Sequence, residues 1–257
     1  MNKLDEKIKK FAQLIIEAKK IVVLSGAGMS TESGIADFRS PGTGLWEKVD
    51  PNEFASIHSY VSDTQKNLKF MLEMGMNIFK AKPNNGHKSL TKLQKLGKLQ
   101  GILTQNIDGL HQKARTKNII ELHGTANEAI CMRCKEIYPI TTMINQVLKG
   151  YYSPSCEVCG GLLKPNAIFF GEPLHSKTLN QADEMISDCD LFIVLGSSLL
   201  VYPAAFYPRK AISVGAKIAI INIQSTDMDE KAEVVIHERI GDVLPKIVEL
   251  LEMKLQK

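Results

Sequence analysis

Five short runs of this 257-residue chain are almost wholly apolar and stop abruptly on small or polar groups: IVVLSGAG from Ile21, ILTQN from Ile102, IIELHG from Ile119, FIVLG from Phe192 and IAIIN from Ile218. Each is short and rich in aliphatic and β-branched residues, and each reads as a strand buried on both faces. Between them lie stretches of helical periodicity, such as 87–97 and 174–189. The last stretch, 242–257, reads as a closing amphipathic helix with Pro245 in its first turn. Strand–helix alternation with unbroken apolar strands specifies an α/β fold, a parallel sheet covered by helices on both faces. Ligands of such sheets bind beyond the carboxyl ends of the strands. That is where these runs carry their polar residues.

Two segments break the rhythm. Residues 41–82 hold helix-like, Met-rich stretches without a good strand, and 128–164 hold Cys131, Cys134, Cys156 and Cys159. Both read as insertions that together form a smaller domain, a helical module plus a zinc module. The sheet domain then takes 1–40, 83–127 and 165–257. No apolar run approaches the ~18 residues that cross a bilayer, so no membrane association is expected. The N-terminal stretch has charges throughout and an apolar face of Phe11, Leu14, Ile15 and Ala18, which is a helix and not a targeting peptide. A cytoplasmic location is the expectation. With 32 Lys plus Arg against 28 Asp plus Glu, the net charge of +4 is too modest for a nucleic-acid footprint.

The cysteines form two CxxC pairs, Cys131–Cys134 and Cys156–Cys159, with Gly160 and Gly161 after the second. A two-residue spacing lets both thiolates of a knuckle reach one tetrahedral ion, and a reducing compartment disfavours the disulfide alternative. Four thiolates close the coordination shell, so the expected zinc is structural. Cys189 lies in an apolar context and reads as a core residue.

Gly26-Ala27-Gly28 after the first strand would let backbone approach a pyrophosphate, with Ser30 and Thr31 as further donors. A glycine pair in that place is also a plain tight turn, and Thr31 stands where the dinucleotide fingerprint has its third glycine. The strands ending in Gly196-Ser197-Ser198 and in Asn222 add small polar groups at the same sheet edge, suited to adenosine hydroxyls and phosphates. A lone histidine after a strand is often structural. His123, however, is followed by Gly124 and preceded by TQNIDGLH (104–111), which makes it the natural proton acceptor at neutral pH. The other five histidines have no comparable setting in the sequence.

Taken in order, GAGMSTESGIADFRS (26–40), TQNIDGLHQ (104–112), His123-Gly124, the paired CxxC, KPNAIFFGE (164–172), GSSLLVYP (196–203) and INIQST (221–226) closely resemble the sirtuins. These are NAD-dependent protein-lysine deacylases, and the resemblance spans about residues 10–245. It implies a Rossmann-like large domain, with NAD as co-substrate and an acetylated-lysine protein meeting in the cleft beside the small domain. On that pattern His123 is the general base. Asn106, Ile107 and Asp108 line the nicotinamide pocket, with Asp108 bonding the carboxamide, and Gln105 contacts the nicotinamide ribose. Gly26, Ala27, Gly28, Thr31, Phe38 and Arg39 serve the phosphates and cofactor loop, and Gly196, Ser197, Ser198, Asn222 and Asp242 the adenosine side. Ile168, Phe170, Gly171, Glu172 and Val201 clamp the substrate as an added strand and form the acyl-lysine tunnel.

The implied chemistry has the substrate amide oxygen attack the ribose C1′ as nicotinamide leaves. His123 then deprotonates a ribose hydroxyl, and the products are free lysine, nicotinamide and O-acyl-ADP-ribose. Acidic-acyl sirtuins carry a Tyr-x-x-Arg pair, whereas no arginine lies between Arg39 and Arg115 here. Phe70, Met71, Met74 and Met76 occupy that stretch, either as ordinary helix core or as a soft apolar wall for an acyl chain. Three departures stand out. Ala36 replaces the family's usual proline and loosens the cofactor loop, and Ser197 replaces a threonine while keeping the hydroxyl. Arg115 replaces a glycine, at a cost of ~1 kcal/mol if the backbone there is left-handed. Two rival readings differ in what they need. A zinc-ribbon nucleic-acid-binding protein wants basic and aromatic residues around the cysteines, where Cys156 has Ser, Pro, Glu and Val. A protein ADP-ribosyltransferase uses the same NAD pocket without an acyl tunnel, and the intact His123 favours deacylation.

Overall fold

The computed structural model describes residues 2–38, 42, 44–47 and 49–255. In chain order the strands are β1 (Ile21–Ser25), β2 (Leu99–Thr104), β3 (Ile119–Glu121), β4 (Gly124–Cys131), β5 (Ile137–Pro139), β6 (Leu163–Ala167), β7 (Leu191–Leu195), β8 (Lys217–Ile221) and β9 (Val234–Ile236). Six of them form one all-parallel sheet in the order β3-β2-β1-β7-β8-β9. The other three form an antiparallel sheet, β5-β4-β6.

Alternation along the central strands shows why their apolar runs are continuous. Ile21 and Val23 of β1, with Leu191, Ile193 and Leu195 of β7, face a core built with the helices Lys3–Glu17, Asn85–Lys95 and Ile240–Leu255. Val22, Leu24, Phe192 and Val194 face the opposite core, under the helices Ser176–Ile186 and Tyr207–Ser213. A strand with helices on both sides has no polar face to show, and its sequence loses the period of two. The direction in which strands are added reverses between β1 and β7. That makes their carboxyl ends the switch point where an α/β sheet opens a crevice.

The antiparallel sheet reaches beyond the stretch 128–164 marked by the cysteines, since β4 starts at Gly124 and β6 ends at Ala167. Its core joins Tyr60 and Leu68 of the 41–82 insertion to Ala129, Cys131, Ile140, Met143, Cys156 and Leu163. Both insertions therefore share one hydrophobic cluster. Only two residues, Leu122 and His123, separate β3 of the large sheet from β4 of the small one. Gly124 has φ +73°, and a Cβ there would lie 2.1 Å from the Asn166 carbonyl oxygen, so no side chain fits at this junction.

Arg115 has φ +69°, so the left-handed backbone is present and the arginine carries its cost of ~1 kcal/mol. Cys189 is buried, as its apolar setting requires. Among the described residues no helix is long and apolar enough to cross a membrane.

Candidate active site

A cavity of about 920 Å³ opens at the switch point and runs toward the antiparallel sheet. At its floor β1 and β7 turn against each other. Gly26 N–H donates to the Leu195 carbonyl (3.0 Å) and Gly28 N–H to the Gly196 carbonyl (2.9 Å). Gly196 has φ +61°, and a Cβ on it would sit 2.4 Å from the Met29 nitrogen. The glycines at 28 and 196 thus let two loops meet backbone to backbone at the cavity floor, where side chains would not fit.

The loop after β2 supplies most of the polar chemistry. Asn106 Nδ2 donates to the Gly26 carbonyl (3.0 Å) and to Ser30 Oγ (3.2 Å). Ser30 Oγ donates to Asp108 Oδ2 at 2.6 Å, and Leu110 N–H donates to Asp108 Oδ1 at 2.8 Å. Burial raises the Asp108 pKa, and those two hydrogen bonds act against the rise. Gln105 Nε2 donates to Ser197 Oγ at 2.8 Å, which ties the β2 loop to the β7 loop.

His123 lines the same cavity, with Nδ1 3.0 Å from the Gln105 carbonyl oxygen. A carbonyl only accepts, so Nδ1 carries the proton and Nε2 keeps its lone pair. Burial lowers the His123 pKa, and the Gln105 hydrogen bond opposes that less strongly. The ring is therefore neutral at pH 7, with a free basic nitrogen. On the other side of the residue, the His123 carbonyl accepts from Ile168 N–H at 2.9 Å, which attaches the segment after β6.

The structure brings together nearly all the residues singled out from the sequence. Gly26, Ala27, Gly28, Thr31, Phe38, Gln105, Asn106, Ile107, Asp108, His123, Gly196, Ser197, Ser198 and Asn222 line the cavity, as do Ile168, Phe170, Gly171, Glu172 and Val201. Arg39 lies outside the described residues. Asp242 does not join them. It is exposed in the first turn of Ile240–Leu255, and Glu238, Arg239 and Ile240 line the cavity there instead. The Glu32 carboxylate accepts from Gly241 N–H (2.8 Å) at that helix start.

The expectation that the other histidines lack a comparable setting is also corrected. His87 and His111 are fully buried with ring centroids 4.9 Å apart, and His111 Nε2 lies 2.8 Å from Ser25 Oγ. Ser25 Oγ donates to Thr104 Oγ1 (2.9 Å), which accepts from Asn106 N–H (3.1 Å). This chain braces the β2 loop from below. His87 and His111 stand on different helices, and nothing local in the sequence pairs their rings with each other or with Ser25.

The cysteines form a second centre. Their Sγ atoms all lie within 4.8 Å of one another, with Cys131–Cys159 at 3.5 Å and Cys134–Cys156 at 3.6 Å. Tetrahedral zinc with Zn–S of ~2.3 Å places sulfurs ~3.8 Å apart, so the donor set fits that ion. The two knuckles repeat one backbone pattern. Lys135 N–H donates to the Cys131 carbonyl and Gly160 N–H to the Cys156 carbonyl, at 3.0 and 2.9 Å. Cys131 N–H donates to the Glu136 carbonyl and Cys156 N–H to the Gly161 carbonyl, at 2.9 and 2.8 Å. These four cysteines are positioned to bind zinc.

Comparison with known proteins agrees with this geometry. The Sir2 family model matches residues 26–203. The chain belongs to the Sir2 family. It is 41% identical over 250 residues to an NAD-dependent protein deacetylase of Thermodesulfovibrio yellowstonii, covering 96% of each chain. It is 41% identical over 247 residues to NAD-dependent protein deacylase 2 of Archaeoglobus fulgidus, again covering 96% of each. Among solved Sir2 structures, one of Sir2 with a p53 peptide and NAD+ superposes with a TM-score of 0.87 at 36% identity, covering 96% of this chain and 99% of that one. A Sir2 bound to an acetylated peptide gives 0.87 at 37%, covering 95% and 98%.

Proposed function

We infer that this Sir2-family chain is an NAD-dependent protein-lysine deacylase that moves an acyl group from lysine to ADP-ribose and releases nicotinamide. The observation that carries the reading is His123. It is a neutral imidazole whose tautomer is set by the Gln105 carbonyl, at the junction between the switch-point crevice and the segment expected to hold the substrate. NAD supplies the electrophilic ribose carbon and the accepting hydroxyl.

This chain's own groups prepare that reaction. Backbone at Gly26–Gly28 and Gly196, with Ser197 and Ser198, receives the phosphates and adenosine side. Asn106 and Asp108 hold the carboxamide end, and His123 Nε2 takes the hydroxyl proton. Ile168, Phe170, Gly171, Glu172 and Val201 receive an extended acyl-lysine peptide. Four free thiols paired for zinc suit a reducing compartment, which supports a cytoplasmic location. Incubation with NAD and an acetyl-lysine peptide, followed by mass spectrometry, tests the reading. Free lysine peptide with O-acetyl-ADP-ribose supports it. An ADP-ribose adduct on protein with the acetyl group intact supports the transferase alternative.

Asp108→Asn keeps the side chain's size but turns one acceptor into a donor, facing Ser30 Oγ and Leu110 N–H, which both donate now. Hydrogen bonds to a charged group contribute ~1.5–3 kcal/mol, so nicotinamide exchange and turnover should fall ~10–10²-fold. ADP-ribose affinity should change little. Equal losses of NAD and ADP-ribose affinity would place Asp108 outside the nicotinamide pocket.

The acyl preference follows from the far end of the cavity. Phe70, Met71 and Met76 line the cavity together with Met143, Ile144 and Val147, while the Met74 side chain lies outside the described residues. Among the described residues the one cation on its wall is Arg239, beside Ile240 on the parallel-sheet side. An uncompensated carboxylate in such surroundings costs several kcal/mol. Acetyl and longer aliphatic chains should be accepted, and kcat/KM for succinyl-lysine should fall at least ~30-fold below acetyl. A succinyl value equal to acetyl on the same peptide would overturn this preference.

A further inference from the structure

Lys164 is a charged residue where the fold has no evident use for one. It lies on β6, its side chain is 8% exposed, and it does not line the cavity. Its three ammonium protons find three acceptors: the Ala167 carbonyl (2.7 Å), the Pro165 carbonyl (3.2 Å) and Glu172 Oε2 (3.0 Å). The ammonium also sits 4.5 Å from the centre of the Phe169 ring. The same Glu172 oxygen accepts from Phe169 N–H at 2.9 Å, so this oxygen is engaged by the protein's own groups. A buried ion pair is weak evidence for stability, but the directed bonds of this one tie Lys164, Ala167, Phe169 and Glu172 to a single point.

What the pair fixes is the segment 168–172. Ile168 N–H is held by the His123 carbonyl, Phe170 N–H by the Ala55 carbonyl, and Glu172 N–H by the Phe169 carbonyl. The Phe170 carbonyl accepts from Ile57 N–H. Among the described residues, the Gly171 N–H and the carbonyls of Ile168 and Gly171 bond to nothing. Both residues line the open cavity, and unpaired backbone donors and acceptors are what an added strand needs.

We propose that Lys164 and Glu172 form a positioning pair that holds the backbone of 168–172 as the receiving edge for the acyl-lysine peptide. Glu172 thus serves substrate binding from beneath the segment and not by contact of its carboxylate with the substrate. The peptide part of this proposal rests on the deacylase reading. Lys164 touches neither substrate nor reacting atoms, so it is a positioning residue whose effect belongs in peptide KM and not in kcat.

The test compares Lys164→Met, which fills the volume without charge, with Lys164→Arg. In Lys164→Met, amide hydrogen exchange at Phe169 and Phe170 should accelerate at least ~10-fold. The KM for acetyl-lysine peptide should rise ~10-fold or more, with kcat within ~3-fold and ADP-ribose affinity within ~2-fold of the parent. Lys164→Arg, which keeps the cation and its donors, should restore most of both losses. Wild-type exchange with wild-type peptide KM in Lys164→Met overturns the proposal. So does parallel loss of peptide affinity, ADP-ribose affinity and zinc, which is the mark of general unfolding. If Lys164→Met is insoluble, Glu172→Gln decides. Its amide oxygen still accepts from Phe169 N–H but carries no charge, so peptide KM should rise ~3-fold, and an unchanged KM overturns the pair. A wild-type protein that binds no acyl-lysine peptide refutes the deacylase reading, and the exchange arm then decides the positioning role alone.

Discussion

Replacing His123 with alanine is expected to lower deacetylation by about 10²–10⁴-fold, the range for loss of a general base. The fold should persist, because the ring makes one hydrogen bond, to a carbonyl at the cavity edge that water can satisfy. ADP-ribose affinity and zinc content should stay near those of the parent. A pH profile makes the test specific. Burial lowers the His123 pKa below its ordinary 6.5, and the base works only when unprotonated. The kcat/KM of the parent should therefore be flat at neutral pH and fall on the acid side with a midpoint below 6.5. That limb should vanish from the residual activity of the variant. Near-parental turnover by His123→Ala with normal NAD binding would mean that another group takes the proton.

The large sheet is legible in the sequence because burial on both faces leaves a mark that little else mimics. Leu24, Leu103, Val194 and Ile220 can sit in unbroken apolar runs only if helices cover both sides, and each run stops where the strand meets the cleft. The site residues at those strand ends are legible for the same reason, since an amide or imidazole directly after a buried strand can only face the carboxyl edge. The antiparallel sheet leaves no such mark. β4 reads GTANEAIC and β6 reads LKPNA, with polar residues at partly exposed positions and a buried lysine among them.

The residues that escaped are those whose partners are remote in sequence. Lys164 looks like any surface lysine until Glu172 and two carbonyls close around it. His111 looks like a helix residue until Ser25, 86 positions away, meets its ring. Family pattern alone assigns Asp242 to the adenosine side, whereas at the helix start it is exposed to solvent. Pattern along a chain predicts burial and strand ends. Pairing across the fold has to be seen.

The second large effect concerns the cysteines, where no rate is at stake directly. Cys156→Ser should abolish zinc binding and unfold the antiparallel module. Structural zinc contributes ~10–16 kcal/mol in small modules at neutral pH, more than the whole stability of many domains. The module's own core is smaller than either core of the parallel sheet. Cys131 and Cys156 are themselves members of its hydrophobic cluster, and the Tyr138 hydroxyl lies 3.1 Å from Cys156 Sγ. The damage should spread by a definite route. Tyr60 Oη donates to the Leu163 carbonyl (2.6 Å), and its ring meets Phe169 edge-on at 5.4 Å, so losing β6 frees the segment 168–172. Peptide binding should fail first. The parallel sheet, with its own two cores, should keep measurable ADP-ribose affinity. Metal analysis, peptide titration and ADP-ribose titration on Cys156→Ser, and on the parent treated with a chelator, check each step. An active parent preparation holding less than about half an equivalent of zinc would overturn the structural role, because a site that stabilises its module this strongly stays filled.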